Sequence, residues 1–548
     1  MALSSRSCSG STSLAAAAAT TTALFAAAAT WKLRRVSHAA RRVEAVATIS
    51  NDDDGESSST TTTTPTYPPT PPNRHWLFGH GRDLDLTRTN NHDVLFLNWM
   101  TELKSKVIMF HLPIVGRFIV VGDADVARYV LGNAFVKSPT YGALLPLIGR
   151  RSLVTMEGEE WKAQRKSYNP GFSPDFLRRT VSTIIDKTRR FMDVCDMDVN
   201  YGRSTNMLGR AIDLTIDVIV SVGFGEDWHD TADGKDKVDT MRELTSLIGE
   251  SMKDPLRRYF SPSHMWKTWR LSGRLDRDMK FLVRRRLDEI ILERTNAAAS
   301  PVDIMESSKQ RDILSFTLHR FLQSNGVGAK LGRNDMEIIT SQLKTFYFAG
   351  HDTTATTIAW AYWLLIQHPE CLGKAREEVE SYIGREPLDD MTTFEMLQKC
   401  EYLDAVARET LRLYPPAATT RYIPSTSPDD DVPNAGGYLL GNSIVHLNFY
   451  AIQRDPRVWD VPDEFAPDRF LGEVGRKRIA SSSFVPFSKG ARDCIGKYFA
   501  LLEIKIALAA LICRYDGDVI DPNEAYVTRL TSIPRGGCEV NLRRRSVA

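Results

Sequence analysis

The 548-residue sequence predicts a mainly α-helical fold with a small β-rich part near its N-terminus. Three observations predict it. One helical pattern runs from Asp335 to Gln367, far longer than an average globular helix. Further helical patterns, several of them punctuated by proline, follow one another after residue 121. The stretch VIMFHLPIVGRFIVV, residues 107–121, reads instead as two short strands around a Pro/Gly turn.

In chain order, residues 1–45 form an anchor or targeting segment. No charge falls between Arg6 and Lys32, and Lys32, Arg34 and Arg35 follow at once. That is the pattern of a weakly apolar membrane anchor with basic residues on the cytosolic side. The first acidic residue is Glu44, and the stretch is rich in Ser and Ala, so a removed transit peptide is the alternative. Residues 46–74 read as a linker of Ser, Thr and five prolines, which cannot build a packed core. The globular body, 75–548, starts near His75. In it, Asn334 and Glu337 are placed to cap the long helix, and His368-Pro369 ends it, because a residue before proline avoids the helical region. A helix of about 33 residues spans roughly 50 Å. Its apolar residues are not confined to one stripe, so it should cross the interior. Pro369 opens another helix ending near Gly384, Glu401–Leu413 forms one closed by Pro415-Pro416, and Lys497–Cys513 forms an apolar one.

Composition narrows the function. A formal net charge of +2 gives no global field for nucleic acid. Seven scattered cysteines without a CxxC argue against a disulfide framework or a structural zinc site.

Four constellations carry chemistry. The first is FSKGARDCIG, residues 487–496. A cysteine thiolate pushes electron density onto haem iron and promotes O–O cleavage. Gly490 permits an unusual turn, Gly496 a close approach of the next helix, and Arg492 offers a guanidinium to a haem propionate. Phe487 should pack against the loop. The bland alternative for Cys494 is a buried structural cysteine. The second is Glu409-Thr-Leu-Arg412, whose three-residue spacing puts acid and base on one helix face. The third is AGHDTT, residues 349–354, mid-way along the long helix. Gly350 leaves room there, while Asp352 and Thr353 form an acid and alcohol pair able to deliver the protons that oxygen activation consumes; the bland reading is a kink with solvated polar groups. The fourth is Trp161 and Arg165, four apart on one helix face.

FSKGARDCIG matches FxxGxRxCxG, the signature of the cytochrome P-450 superfamily, and AGHDTT matches that family's AGxDTT in full. The chain thus resembles this superfamily from about His75 onward. The resemblance implies the mainly helical P-450 prism, haem b ligated by Cys494, and monooxygenation of a hydrophobic small molecule with O2. It implies electrons from NADPH through a separate NADPH–cytochrome P-450 reductase. It implies that Arg469 of Pro467-Asp-Arg-Phe joins Glu409 and Arg412 in a structural triad, that Trp161, Arg165 and Arg421 approach haem propionates, and that the anchor places the enzyme on the cytosolic face of the endoplasmic reticulum membrane, with a mitochondrion or plastid as the alternative. Length and helix sequences look most like eukaryotic microsomal members, as in fungal secondary metabolism. Gln453 departs from the histidine of many relatives, which removes a propionate contact. Pro139–Ile148, Phe346, Ala349, Ala417–Thr419 and Leu530–Ile533 fall where the family lines its pocket, and Lys162, Lys166, Lys489 and Lys497 could face an acidic electron donor. A haem-thiolate isomerase, dehydratase or lyase and a non-catalytic haem protein are the other classes.

Overall fold

The computed structural model describes residues 67–72, 80, 91–112, 116–133, 136–229, 231–253, 260–296, 312–326, 328–386, 388–424 and 437–545. The anchor or targeting segment expected over 1–45 lies outside them. Among the described residues no helix is long and apolar enough to cross a membrane. Of the expected linker, Tyr67–Pro72 lies against the body: Pro68 and Pro71 are buried, and Met109 N–H donates to Pro69 O at 2.9 Å.

The first elements are α1 (His92–Glu102), β1 (Val107–Leu112), β2 (Gly116–Val121), α2 (Ala124–Gly132) and β3 (Val136–Lys137). The hairpin β1–β2 pairs Val107 with Val121 through Leu112 with Gly116. Helices then dominate: α3 (Gly158–Tyr168), α4 (Pro174–Asn200), α5 (Met207–Phe224, after the two-residue β4, Thr205–Asn206), α6 (Ala232–Lys253), α7 (Pro262–Asn296), α8 (Ile313–Asn325), α9 (Arg333–Gln367), α10 (Pro369–Tyr382) and α11 (Glu401–Leu413). Late in the chain come β5 (Thr419–Ile423), β6 (Ser443–Leu447), α12 (Lys497–Arg514), β7 (Tyr515–Val519), β8 (Tyr526–Thr528), β9 (Ser532–Pro534) and β10 (Glu539–Arg544).

The β part is wider than the N-terminal hairpin expected from sequence. Strands β5 and β6 join it, giving one sheet of order β1-β2-β6-β5-β3 in which β2 and β6 run parallel. Two smaller sheets, β4-β10-β7 and β8-β9, come from the C-terminal end.

Helix α9 is the spine of the helical body. It packs on α5, α12, α11, α7 and β9. Its N-cap is Gly332, whose N–H donates to Asp335 Oδ2 at 3.3 Å, so the helix begins two residues before the expected Asn334 cap. It ends at Gln367, before Pro369, as expected. Every residue from Ile338 to Tyr347 and from Thr354 to Leu365 is buried. A helix enclosed all round must run through a core. Between those runs, Phe348–Thr353 is the uncovered window, with His351 alone in it buried.

Candidate active site

The loop before α12 is held by its own backbone. Cys494 N–H donates to Phe487 O at 2.9 Å, and Gly490–Arg492 forms a 3-10 turn closed by Asp493 N–H to Gly490 O at 3.1 Å. Gly490 has φ +77°, and a Cβ there would collide with Leu131 O at the end of α2. Gly496 sits 3.8 Å, measured from its would-be Cβ, from the Phe172 ring, which in turn packs edge-on to Phe346 of α9 at 5.6 Å. Among the described cysteines, Cys494 is the exposed one. Its side chain is accessible yet deep: surrounding protein pushes the thiol pKa up, while the Gly496 N–H and the Arg165 charge pull it down. Phe487 is partly buried against the helical core.

A cation cluster adjoins this loop. Arg492 lies over the buried Trp161 ring at 3.8 Å and donates to Met156 O at 2.9 Å and to Glu157 Oε2. Arg421, on β5, is 2% exposed and donates to Thr419 Oγ1 at 2.6 Å and Thr420 O at 3.0 Å. Lys137, on β3 opposite it, reaches Tyr141 Oη at 3.5 Å. Burial and then mutual repulsion pull Lys137 and Arg492 below their usual pKa values, and burial does the same to Arg421. Burial alone would raise the Tyr141 phenol, but Lys137, Thr419 and Arg421 outweigh it and bring it down to about 8. Arg421 and Arg492 thus share one carboxylate, Glu157, which also accepts from the Lys137 backbone N–H at 2.7 Å, while the Lys137 ammonium faces Tyr141; this surplus of cations suits a ligand carrying two carboxylates. Trp161 and Arg165, expected at the propionates, contact the cysteine loop. Trp161 supports Arg492, and Arg165 clamps Asp493 through its carbonyl at 2.8 Å and Oδ1 at 2.9 Å.

The triad expected from sequence is assembled. Glu409 and Arg412 are both 0% exposed and share two hydrogen bonds, 2.7 and 2.8 Å. Arg469 Nε stands 3.3 Å from Glu409 Oε1, which also accepts from Ala466 N–H at 3.0 Å. Arg412 further donates to the carbonyls of Gln453, Pro462 and Glu464. A buried ion pair so fully bonded is tolerable where a half-made one would not be. Gln453, read as a missing propionate contact, has a different job. It is fully buried, donates to Leu411 O and Arg412 O, and accepts from Val485 N–H at 2.9 Å. It ties the end of α11 to the chain entering the cysteine loop.

In the window of α9, Thr353 Oγ1 donates to Ala349 O at 2.9 Å, and Asp352 Oδ2 accepts from Thr531 Oγ1. Asp352 and Thr353 are partly exposed, and Ala349 is exposed. The window lies within continuous α-helix. Gly350 has a packing reason: an added Cβ would stand 3.0 Å from Ile219 of α5. Phe346, expected to line the pocket, belongs to the core, 5% exposed and edge-on to Tyr168 and Phe172. Pro139–Ile148 forms two short helical turns, partly exposed as far as Pro146. Of the four lysines, Lys162 and Lys166 are exposed, whereas Lys489 is held by Ile479 O and Ala480 O, and Lys497 by Asp493. Sequence reasoning missed Lys137 and Glu157, for which the lysine in FVKSP was the one available signal; Tyr141 and Thr531 fall within the expected pocket stretches Pro139–Ile148 and Leu530–Ile533, but their polar contacts were not foreseen.

The Cytochrome P450 family profile matches residues 68–528. The chain is 29% identical over 462 residues to cytochrome P450 4A12 of Rattus norvegicus, covering 82% of this chain and 84% of that one. It is 28% identical over 497 residues to cytochrome P450 4A7 of Oryctolagus cuniculus, covering 87% and 90%. The fold is that of the crystal structure of the cytochrome P450DA heme domain, at TM-score 0.71 and 21% identity, over 88% of this chain and 99% of that one. With a thiol-bearing loop beside a surplus of buried and half-buried cations, and a family match across most of its length, the chain belongs to the cytochrome P450 monooxygenases, haem b enzymes whose iron is ligated by a cysteine thiolate.

Proposed function

We propose that Cys494 supplies this thiolate and that the enzyme inserts one atom of O2 into a hydrophobic substrate. The single observation that carries the reading is the continuity of residues 492–494. Arg492 ends in the cation cluster, Asp493 is clamped by Arg165, and Cys494 presents the deep, accessible thiol. Bound haem would supply one-electron and dioxygen chemistry, and a metal-bound thiol is deprotonated outright, which overrides the upward push of burial on Cys494. The chain's own residues do the rest. Arg421, Arg492 and Lys137 would hold the two propionates, and Gly496 N–H tunes the sulfur. Gly490 and Phe487 shape the loop, and Glu409, Arg412 and Arg469 fix its approach. Asp352 and Thr353 deliver protons at the window of α9. Gly350 lets α9 lie close enough to α5 for that window to face the site.

Electrons come from NADPH through a separate reductase, a reading supported by the exposed Lys162 and Lys166 on the helix that supports the cysteine loop. The uncharged stretch before Lys32 supports attachment to the endoplasmic reticulum membrane. Secondary metabolism as its setting rests on resemblance of length and helix sequence. The test is spectroscopic. The reduced carbon monoxide complex should show the red-shifted Soret band of thiolate ligation, and Cys494→His should lose it. A thiolate band in that variant would overturn the assignment. Thr353→Ala should keep the band while peroxide replaces product, measured as product formed per NADPH.

A further inference from the structure

We infer that Thr531, on the turn between β8 and β9, is a positioning residue for the acid of the proton relay; this rests on the oxygen-activating role proposed for Asp352. Asp352 and Thr353 do not bond to each other. Each has its own partner: Thr353 Oγ1 gives its proton to Ala349 O, and Asp352 Oδ2 accepts from Thr531 Oγ1. A carboxylate on a helix side chain can rotate about two bonds, and a donor from outside the helix restricts that freedom. The adjacent imidazole of His351 is turned elsewhere, with Nδ1 at 2.6 Å from Tyr347 O.

Thr531 itself is fixed. It is 6% exposed, and the turn that carries it is closed by Arg529 N–H to Thr531 O at 2.8 Å. Ser532 N–H donates to Pro416 O at 2.9 Å, and Tyr526 Oη to Pro415 O at 2.6 Å, so the hairpin is moored to the segment that follows α11. On the other side, the would-be Cβ of Gly249 on α6 lies 3.5 Å from Leu530 N. The hydroxyl that holds Asp352 is thus supplied by a rigid turn wedged between α6 and Pro415-Pro416. Without that donor the carboxylate would sample orientations that leave the relay open only part of the time. A positioned acid contributes about 100-fold or more to a proton transfer, and losing its positioning forfeits part of that.

The experiment uses the full-length haem-loaded chain with a NADPH–cytochrome P450 reductase and no added substrate. NADPH oxidation and released peroxide are followed in H2O and D2O for wild type, Thr531→Val, Thr531→Ser, Asp352→Asn and the Asp352→Asn/Thr531→Val double variant. Loading is set equal from the reduced carbon monoxide band; Thr531→Ala stands in if Thr531→Val loads poorly. We expect Thr531→Val to slow turnover about tenfold and shift the solvent isotope effect in the direction of Asp352→Asn. Thr531→Ser should return both to within about twofold of wild type, and the double variant should be no slower than Asp352→Asn, because both lesions act at one step. Wild-type rate and isotope effect in Thr531→Val, beside an altered Asp352→Asn, overturn the inference and leave the relay standing. Full additivity in the double variant overturns it too. An Asp352→Asn variant indistinguishable from wild type removes the relay, and the role of Thr531 with it.

Discussion

Gly490 shows how much one residue of the site can decide. Its φ of +77° lies in the left-handed region, and the carbonyl of Leu131 occupies the space a side chain would need. Alanine there meets both penalties at once, about 1–3 kcal/mol of backbone strain and a clash that must move α2 or the loop. Since Arg492 and Cys494 lie two and four residues on, we expect Gly490→Ala to lower bound haem per polypeptide several-fold. Haem content measured against protein concentration checks it, and full loading would show that the loop tolerates the shift. Glycine at this place was readable because the motif is local. So were Cys494, Glu409 with Arg412, and Asp352 with Thr353, each recognisable within a few residues. What could not be read was the identity of distant partners. Asp352 meets a hydroxyl 179 positions away, and Gln453 meets an N–H 32 positions away. Nothing in the local sequence of either announces that contact.

At the scale of elements, punctuation by proline was dependable. Helix α9 stops before Pro369, and α11 covers Glu401–Leu413 as read. The N-cap of α9 was misplaced because Gly332 has no side chain to advertise itself, while Asp335 performs the return bond that Glu337 was expected to make. The strands after residue 419 escaped notice because they are short and their stability is long-range pairing, as in β2 with β6. The same non-local logic makes Gln453 a joint between elements. Gln453→Leu keeps the volume but strips partners from Leu411 O, Arg412 O and Val485 N–H, all inside the protein. Unsatisfied buried groups cost about 1–3 kcal/mol each, so this variant should lower the thermal unfolding midpoint by several degrees. The exposed pair Lys477–Glu473 is the control: Lys477→Ala should stay within about 0.5 kcal/mol of wild type. Equal midpoints for Gln453→Leu and Lys477→Ala would refute the joint.

For the whole molecule, a net charge of +2 spread over 548 residues gives no field that could steer a partner from a distance. Any electrostatic guidance of an electron donor must therefore come from a local patch. The four lysines near the cysteine loop are not equivalent candidates. Lys489 donates to Ile479 O and Ala480 O, and Lys497 faces Asp493, so both are committed to the fold. Lys162 and Lys166 stand one turn apart on the open side of α3, and the Glu159 contact of Lys162 is an exposed pair worth little in water. Reversing the exposed two, as Lys162→Glu/Lys166→Glu, should slow first-electron transfer from the reductase at low salt and flatten its dependence on ionic strength, since surface charge is screened within about 10 Å at 0.1 M. Haem loading should be unaffected, because neither side chain supports the loop. Lys489→Glu should do the reverse, lowering haem loading while the loaded fraction keeps the wild-type salt slope. Stopped-flow reduction across a salt series, with loading measured on the same samples, separates the two effects. Wild-type reduction kinetics for the double reversal at every ionic strength would remove α3 from the docking face.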